Sequence, residues 1–95
     1  MPGTKTTAWD SAGHLNTAAD VAAYLEAAFE DGDPSLVTHA LGVVARARGM
    51  AEIARRTGLG RQSLSKALAA EGHPEFDTVL RVVHALGLKL TVTPA

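Results

Sequence analysis

Residues 50–68 read MAEIARRTGLGRQSLSKAL, and this stretch predicts two short helices joined by a tight turn. Ile53 and Leu64 are apolar, Ala54 is small, and Gly58 stands where the first helix would end. Helices that cross steeply through a turn of about three or four residues need a small contact residue and, usually, a glycine with positive φ. Because Ala54 and Gly58 meet both needs, the stretch predicts a helix-turn-helix.

The second predicted helix, from about Arg61 to Leu68, has the composition of a DNA recognition helix. Leu64 and Leu68, at i and i+4, point inward and leave the polar side chains outward. Arginine binds guanine O6 and N7 bidentately, and glutamine binds adenine N6 and N7 in the same way. We therefore predict base contacts from Arg61, Gln62 and Ser65, and phosphate contacts from Arg55, Thr57, Ser63 and Lys66.

An ordinary helical hairpin whose polar residues only face water is the alternative for this segment. The twelve residues from Arg55 to Lys66 include four basic side chains and no acidic one. Since surface helices usually mix charges of both signs, the run favours a nucleic-acid partner.

The length of 95 residues is enough for one compact domain. The chain has no cysteine, which excludes disulfides and thiolate metal sites. No apolar stretch reaches the length of about 18 residues that a membrane span needs, and the N-terminus lacks a signal-peptide pattern. We therefore expect a soluble, cytoplasmic protein without a membrane partner.

Charge is divided unevenly at Pro34. Residues 1–34 contain six acidic side chains and one basic one, whereas residues 35–95 contain eight basic and four acidic ones. A basic body with an acidic extension predicts two partners of opposite charge, although ordinary surface charge is an alternative.

Capping signals predict the remaining helices. Thr17 and Asp20 form a capping-box pattern for a helix from about Ala18 to Asp31, which Gly32 ends. Asp33 and Pro34 begin a second helix, which Gly49 ends. A last helix is expected from near Pro74 or Glu75 to Gly87, with one apolar face formed by Phe76, Val79, Leu80, Val83 and Leu86.

Residues 88–93 change to a period of two, which is typical of a half-buried strand. An isolated strand leaves backbone groups unpaired. We therefore predict that Leu88, Leu90 and Val92 pair with the same segment of a second copy, forming a homodimer; an extended tail packed on its own domain is the alternative. Together, these predicted elements divide the chain into a flexible arm (1–16), an acidic helix (17–33), a helix-turn-helix domain (34–87) and a dimerisation strand (88–95).

The segment from about Leu36 to Leu90 resembles the lambda-repressor-like, or XRE-type, helix-turn-helix domain, a five-helix bundle. GDPSL (32–36), ALGVVARARGMAEIARRTGLGRQSLSKAL (40–68) and GLKLTV (87–92) are similar to HigA-type antidote proteins of toxin–antitoxin modules. VAAYLEAAFEDGDP (21–34) also fits that family, so the resemblance covers about residues 9–95. Gly60 departs from the serine more usual there.

The resemblance implies an all-α fold and a homodimer that represses its own promoter at a palindromic operator. It also implies that the protein neutralises a RelE/HigB-like toxin, a messenger-RNA endonuclease. A stand-alone XRE-type regulator without a toxin is the alternative. Since an RNA-cleaving toxin is expected to be basic, we predict that the acidic N-terminal part contacts it through Trp9, Asp10, Asp20, Glu26 and Glu30.

Aromatic residues of this part leave alternatives open. Trp9 is either an anchor in the toxin interface or packs on the chain's own helices, and Tyr24 and Phe29 are interpreted as core. An enzyme is not expected. The histidines at 14, 39, 73 and 84 lack metal-site spacing, and neither a phosphate-binding GxxxxGK[ST] motif nor a GxSxG motif is present. The sequence therefore predicts no catalytic residue, metal or cofactor.

Overall fold

The computed structural model describes residues 15–95, and within them it contains five helices and no strand. They are α1 (Ala18–Asp31), α2 (Pro34–Arg48), α3 (Met50–Thr57), α4 (Arg61–Ala67) and α5 (Phe76–Ala85). The predicted all-α class is confirmed for this part of the chain. None of the helices is long and apolar enough to cross a membrane.

The predicted caps fix the ends of α1 and α2. The Thr17 hydroxyl accepts a hydrogen bond from the Asp20 N–H at 3.1 Å, and the Asp20 carboxylate accepts one from the Thr17 N–H at 3.2 Å. This capping box begins α1 as predicted. The Asp33 carboxylate accepts from the Ser35 N–H at 3.0 Å, with Pro34 in the first turn of α2.

A single glycine separates α2 from α3. Gly49 has a φ of 106°, donates its N–H to the Ala45 carbonyl at 2.9 Å, and accepts from the Ile53 N–H at 3.1 Å. A residue with a Cβ rarely adopts this φ, so the glycine allows one helix to end and the next to begin without a loop.

The helix α3 is central to the packing. It contacts α2, α4 and α5, while α1 packs on α2. The core contains apolar side chains from all five helices and from the residue after α4, the most completely buried being Val21, Leu41, Val44, Ile53, Leu64, Leu68, Val82 and Val83. The core therefore holds α3 and α4 in one position relative to the rest of the chain.

Two aromatic side chains that were predicted to be buried are exposed in the structure. Phe76 is 68% exposed, so the expected apolar face of α5 is wrong at its first residue; the buried side chains are Val82, Val83 and Leu86. Phe29 is 36% exposed, and its interpretation as core is also wrong. Both residues lie near a helix end, where the helical repeat continues but no helix of residues 15–95 covers the side chain completely.

The C-terminal segment differs from the prediction. Residues 88–95 form no strand, and the Leu88 N–H instead donates to the Val83 carbonyl at 3.1 Å. Leu88 and Leu90 are half-buried against the core, whereas Val92 is 96% exposed. No strand is seen because a strand needs a neighbouring edge, and residues 15–95 of the single chain offer none. Leu88 and Leu90 pack on the chain's own helices, and pairing of this segment with a second copy stays a prediction.

Candidate nucleic-acid interface

The turn between α3 and α4 is fixed by hydrogen bonds within the chain. Gly58 has a φ of 79° and donates its N–H to the Ala54 carbonyl at 3.0 Å, which ends α3 with a left-handed residue. The Thr57 hydroxyl donates to the same carbonyl at 3.1 Å and accepts from the Leu59 N–H at 3.2 Å. Ala54 is buried at the contact. The division of residues 50–68 at Gly58 is therefore as predicted.

The helix α4 presents a polar surface to solvent. Leu64 and Leu68 are buried, as predicted, and they anchor the helix to the core. The predicted contact residues on the other sides of α4 are all exposed, namely Arg61, Gln62, Ser63, Ser65 and Lys66. Burial of the leucines thus orients one arginine, one amide, two hydroxyls and one ammonium group toward solvent.

Two shallow depressions run along this surface. One is lined by Gln62, Ser63, Ser65 and Lys66. The next shares Ser63 and Lys66 with the loop after α4, including Glu71 and His73. The sequence prediction did not include Glu71 or His73, because no helical repeat or motif covers the loop that places them beside α4.

That loop comes unusually close to α4 at Gly72. A Cβ built on Gly72 would lie 2.1 Å from the Ala67 carbonyl oxygen and 2.7 Å from that of Lys66. The Gly72 N–H also donates to the Ala69 carbonyl at 2.8 Å. A similar approach occurs at Gly42 in α2, where a Cβ would lie 2.7 Å from the Leu68 carbonyl. Glycine is therefore required at positions 42 and 72, where α2 and the loop pack closely on the backbone at the C-terminal end of α4.

Two predicted phosphate contacts lie on α3 in different environments. Arg55 is exposed, with 72% of its side chain accessible, and pairs with Glu52. Arg56 also pairs with Glu52, with Nε and Oε2 2.7 Å apart. Thr57 is 7% exposed, and its hydroxyl is used inside the turn. The surface therefore includes Arg55, while the Thr57 hydroxyl serves the fold.

The carboxylate between the two arginines is electrostatically stabilised. Hydrogen bonds from Arg56 and then Arg55 hold the pKa of Glu52 below its usual value. The sequence prediction counted Arg55 and Arg56 as free cations because Glu52 precedes the acid-free run. At i+3 and i+4 from Glu52 they lie on the same side of α3, so their charge is partly neutralised.

The residues predicted to contact a toxin, Trp9 and four acidic ones, fall into three groups. Trp9 and Asp10 lie outside the described residues. Asp20 is exposed but its carboxylate accepts from the Thr17 and Asn16 N–H groups. Glu26 and Glu30 are exposed on α1. The described structure therefore provides an acidic surface on α1, with Glu26 and Glu30 available for ionic contacts.

Among residues 15–95, no three His, Asp or Glu side chains come together as a metal site would require. The described part of the chain is a small helical bundle in which α4 is basic and polar and α1 is acidic. The charged side chains of both helices are exposed.

Comparison with known proteins gives the family. Residues 5–94 match the model of a family described as "Probable addiction module antidote protein", and the chain belongs to this family. A chain of Haemophilus influenzae described as "Uncharacterized protein" is 40% identical over 84 residues, which cover 88% of this chain and 87% of that one. No solved structure matches the chain. Family membership indicates an antitoxin with a toxin partner.

Proposed function

We propose that the protein is the antitoxin of a type II toxin–antitoxin module, which represses its own promoter through α4 and neutralises a RelE/HigB-like toxin through its acidic N-terminal part. The observation that carries the DNA-binding half is the exposed row of Arg61, Gln62, Ser65 and Lys66 on a helix anchored by buried leucines. The antitoxin half is supported by the family.

In this proposal α4 lies in the major groove. Arg61, Gln62 and Ser65 contact base edges, where arginine and glutamine have specific bidentate partners. Ser63 and Lys66 contact phosphates, which fix the register of the protein but carry no sequence information. Arg55 joins them, because an exposed ion pair contributes little and a phosphate competes for the guanidinium. The Thr57 hydroxyl is not included in the interface.

The operator is proposed to be palindromic and the protein a homodimer. One helix of this length contacts few base pairs, and a two-fold dimer reads two half-sites about 34 Å apart along the duplex. The dimer proposed here does not depend on strand pairing, since residues 88–95 form no strand in the single chain and Leu88 and Leu90 pack on its own helices.

The toxin is proposed to bind the acidic N-terminal part, including Trp9, Asp10, Glu26 and Glu30. An enzyme that cleaves RNA must accommodate phosphate groups and is expected to have a basic surface. Opposite charges increase the association rate, while an aromatic anchor such as Trp9 supplies buried contact area. Asp20 contributes charge at the start of α1, with its oxygens already in the capping box.

A stand-alone XRE-type regulator is the alternative function, and the antidote family favours the antitoxin. A mobility-shift experiment separates them. We expect the purified protein to shift the DNA upstream of its own gene, and the protein encoded by the neighbouring gene to change that shift and to form a complex with this chain. A shift with no response to the neighbour would support the stand-alone regulator, and no shift would remove the DNA-binding proposal.

A further inference from the structure

A groove lies between α1 and the C-terminal tail. Its walls are formed by Ala22, Glu26 and Phe29 on α1 and by residues 88–91, and Leu25 and Val83 are also among its lining residues. Leu25 and Val83 are almost completely buried, whereas Phe29 is 36% exposed. The groove therefore combines an apolar base with a large aromatic side chain that is accessible from outside.

The groove is large enough to receive an apolar side chain of a protein partner. Its volume is about 280 Å³, and small-molecule sites typically measure about 300–1,000 Å³. Protein interfaces commonly place an apolar or aromatic anchor in such a pocket and surround it with polar contacts. An exposed aromatic residue beside a preformed apolar groove has the form of an interaction surface.

The charged side chains beside the groove favour a basic protein as the partner. Residues 15–45 contain five acidic side chains and no lysine or arginine. Glu26 lines the groove, and Glu30 lies one helical turn further along α1, with both carboxylates exposed. Lys89, on the opposite wall, is the basic residue of the lining. Glu26 and Glu30 together outweigh Lys89, so the charge beside the groove is net negative and complements a basic protein surface.

We infer that this groove receives an apolar side chain of the basic toxin, with Glu26 and Glu30 binding cationic groups beside it. The inference rests on the proposed function, since the toxin is the partner given there. It assigns the tail to toxin binding: residues 88–91 form one wall of the toxin site, and Phe29 forms part of the other.

The test uses the full chain, with the protein encoded by the neighbouring gene as the probe. In Ala22→Phe, an added ring fills the groove; in the matched control Ala23→Phe, it is added to an exposed alanine of α1 outside the groove lining. A second pair is Glu26→Lys, which reverses a charge at the groove, and Glu75→Lys, which reverses one before α5. Calorimetric titration measures affinity for the probe, and the mobility shift on upstream DNA reports folding.

We expect Ala22→Phe and Glu26→Lys each to weaken probe binding at least about tenfold, while both controls bind like the parent and all four variants retain the DNA shift. Parent-like binding by both groove variants would overturn the groove assignment while leaving the proposed antitoxin function intact. If the parent itself fails to bind the probe, the antitoxin proposal fails and the groove assignment fails with it.

Other occupants give distinct results in the same series. If Trp9 fills the groove of the free protein, Ala22→Phe will shift the emission of this sole tryptophan to longer wavelength before any probe is added. If a second copy fills it, Ala22→Phe will convert a dimer to a monomer in sedimentation. Either result without loss of probe binding overturns the inference.

Discussion

Arg81 in α5 donates a hydrogen bond from Nη1 to the main-chain carbonyl oxygen of Thr57, the last residue of α3, at 3.1 Å. The Nε atom of the same guanidinium is 3.2 Å from Oδ2 of Asp77. A cation at the C-terminal end of a helix satisfies a free carbonyl and interacts favourably with the helix dipole. This bond joins α5 to the turn that positions α4, across 24 residues of sequence.

Replacement of Arg81 by methionine should therefore loosen the turn. We expect a loss of about 1 kcal/mol in the free energy of unfolding, because one half-exposed hydrogen bond and a helix-dipole contact are removed. Urea denaturation measures the loss, and operator affinity should fall with it. Asp77→Asn is the comparison, since it removes the exposed ion pair and an acidic charge in the first turn of α5 but leaves the hydrogen bond to Thr57, and it should cost less than Arg81→Met. Equal stability of Arg81→Met and the parent would show that the bond does not hold the turn.

Gly72→Ala should damage the end of α4. The new Cβ would lie 2.1 Å from the Ala67 carbonyl oxygen, so the loop backbone must move. We expect a loss of about 1–3 kcal/mol in the free energy of unfolding, the range for steric overpacking. Thermal unfolding measures it.

Gly60→Ala is the matched control for Gly72→Ala. Gly60 has a φ of −68°, and the nearest atom to an added Cβ is the Ser63 hydroxyl oxygen at 3.8 Å. Alanine is compatible with this backbone and restricts the unfolded chain, but Gly60 is the N-cap of α4, a position where alanine is less favourable than glycine; the two effects oppose each other, so stability should change by less than about 1 kcal/mol. If both variants lose the same stability, the close approach at Gly72 is not the cause.

Arg61→Ala and Lys66→Ala should affect DNA binding in different ways. Loss of a bidentate base contact at Arg61 should cost about 1–3 kcal/mol and relax specificity at one base pair. Loss of a phosphate contact at Lys66 should weaken all sequences alike and reduce the salt slope of log K by about 1. Titrations of operator and scrambled DNA at several salt concentrations distinguish these effects. If Arg61→Ala binds the operator unchanged, the proposed register of α4 is wrong.

The local signals in the sequence predicted much of this fold. Thr17, Asp33, Gly49 and Gly58 act on backbone groups within a few residues, so each helix boundary that they set agrees with the structure closely. The sequence-predicted surface of α4 also depends on a local feature, the i, i+4 pair of leucines. Such features are fixed by hydrogen bonding and periodicity before tertiary contacts are considered.

The remaining features depend on contacts between distant segments. Arg81 reads as an exposed arginine in the sequence, and only the packing of α5 on α3 brings it to the Thr57 carbonyl. The tail has the alternation of a strand, yet Leu88 and Leu90 pack on helices. Periodicity shows that one side of a segment is buried, but it does not identify the surface that buries it.

Glu52→Gln should strengthen operator binding, because it releases Arg55 and Arg56 from a competing carboxylate. The expected result at pH 7 is a higher affinity and a steeper salt dependence, as more cationic charge becomes available to phosphates. The parent and the variant are compared by the same salt titration. Glu75→Gln is a control for charge alone, since it also removes one negative charge in the basic half and Glu75 lies outside the depressions beside α4. Equal gains in both variants would show that net charge, rather than release of Arg55, is responsible.

The pH dependence of stability tests the same ion pairs separately. Because the pKa of Glu52 is lowered by Arg56 and Arg55, its ionised form stabilises the folded state. This contribution is present above the ordinary value of 4.5 and is lost as the pH falls through the lower pKa of the folded state. Thermal unfolding should therefore show the parent more stable than Glu52→Gln at neutral pH, with the difference disappearing under acidic conditions. A difference in stability that persists at a pH below the folded-state pKa of Glu52 would indicate that the glutamine destabilises α3 for a reason other than the lost charge.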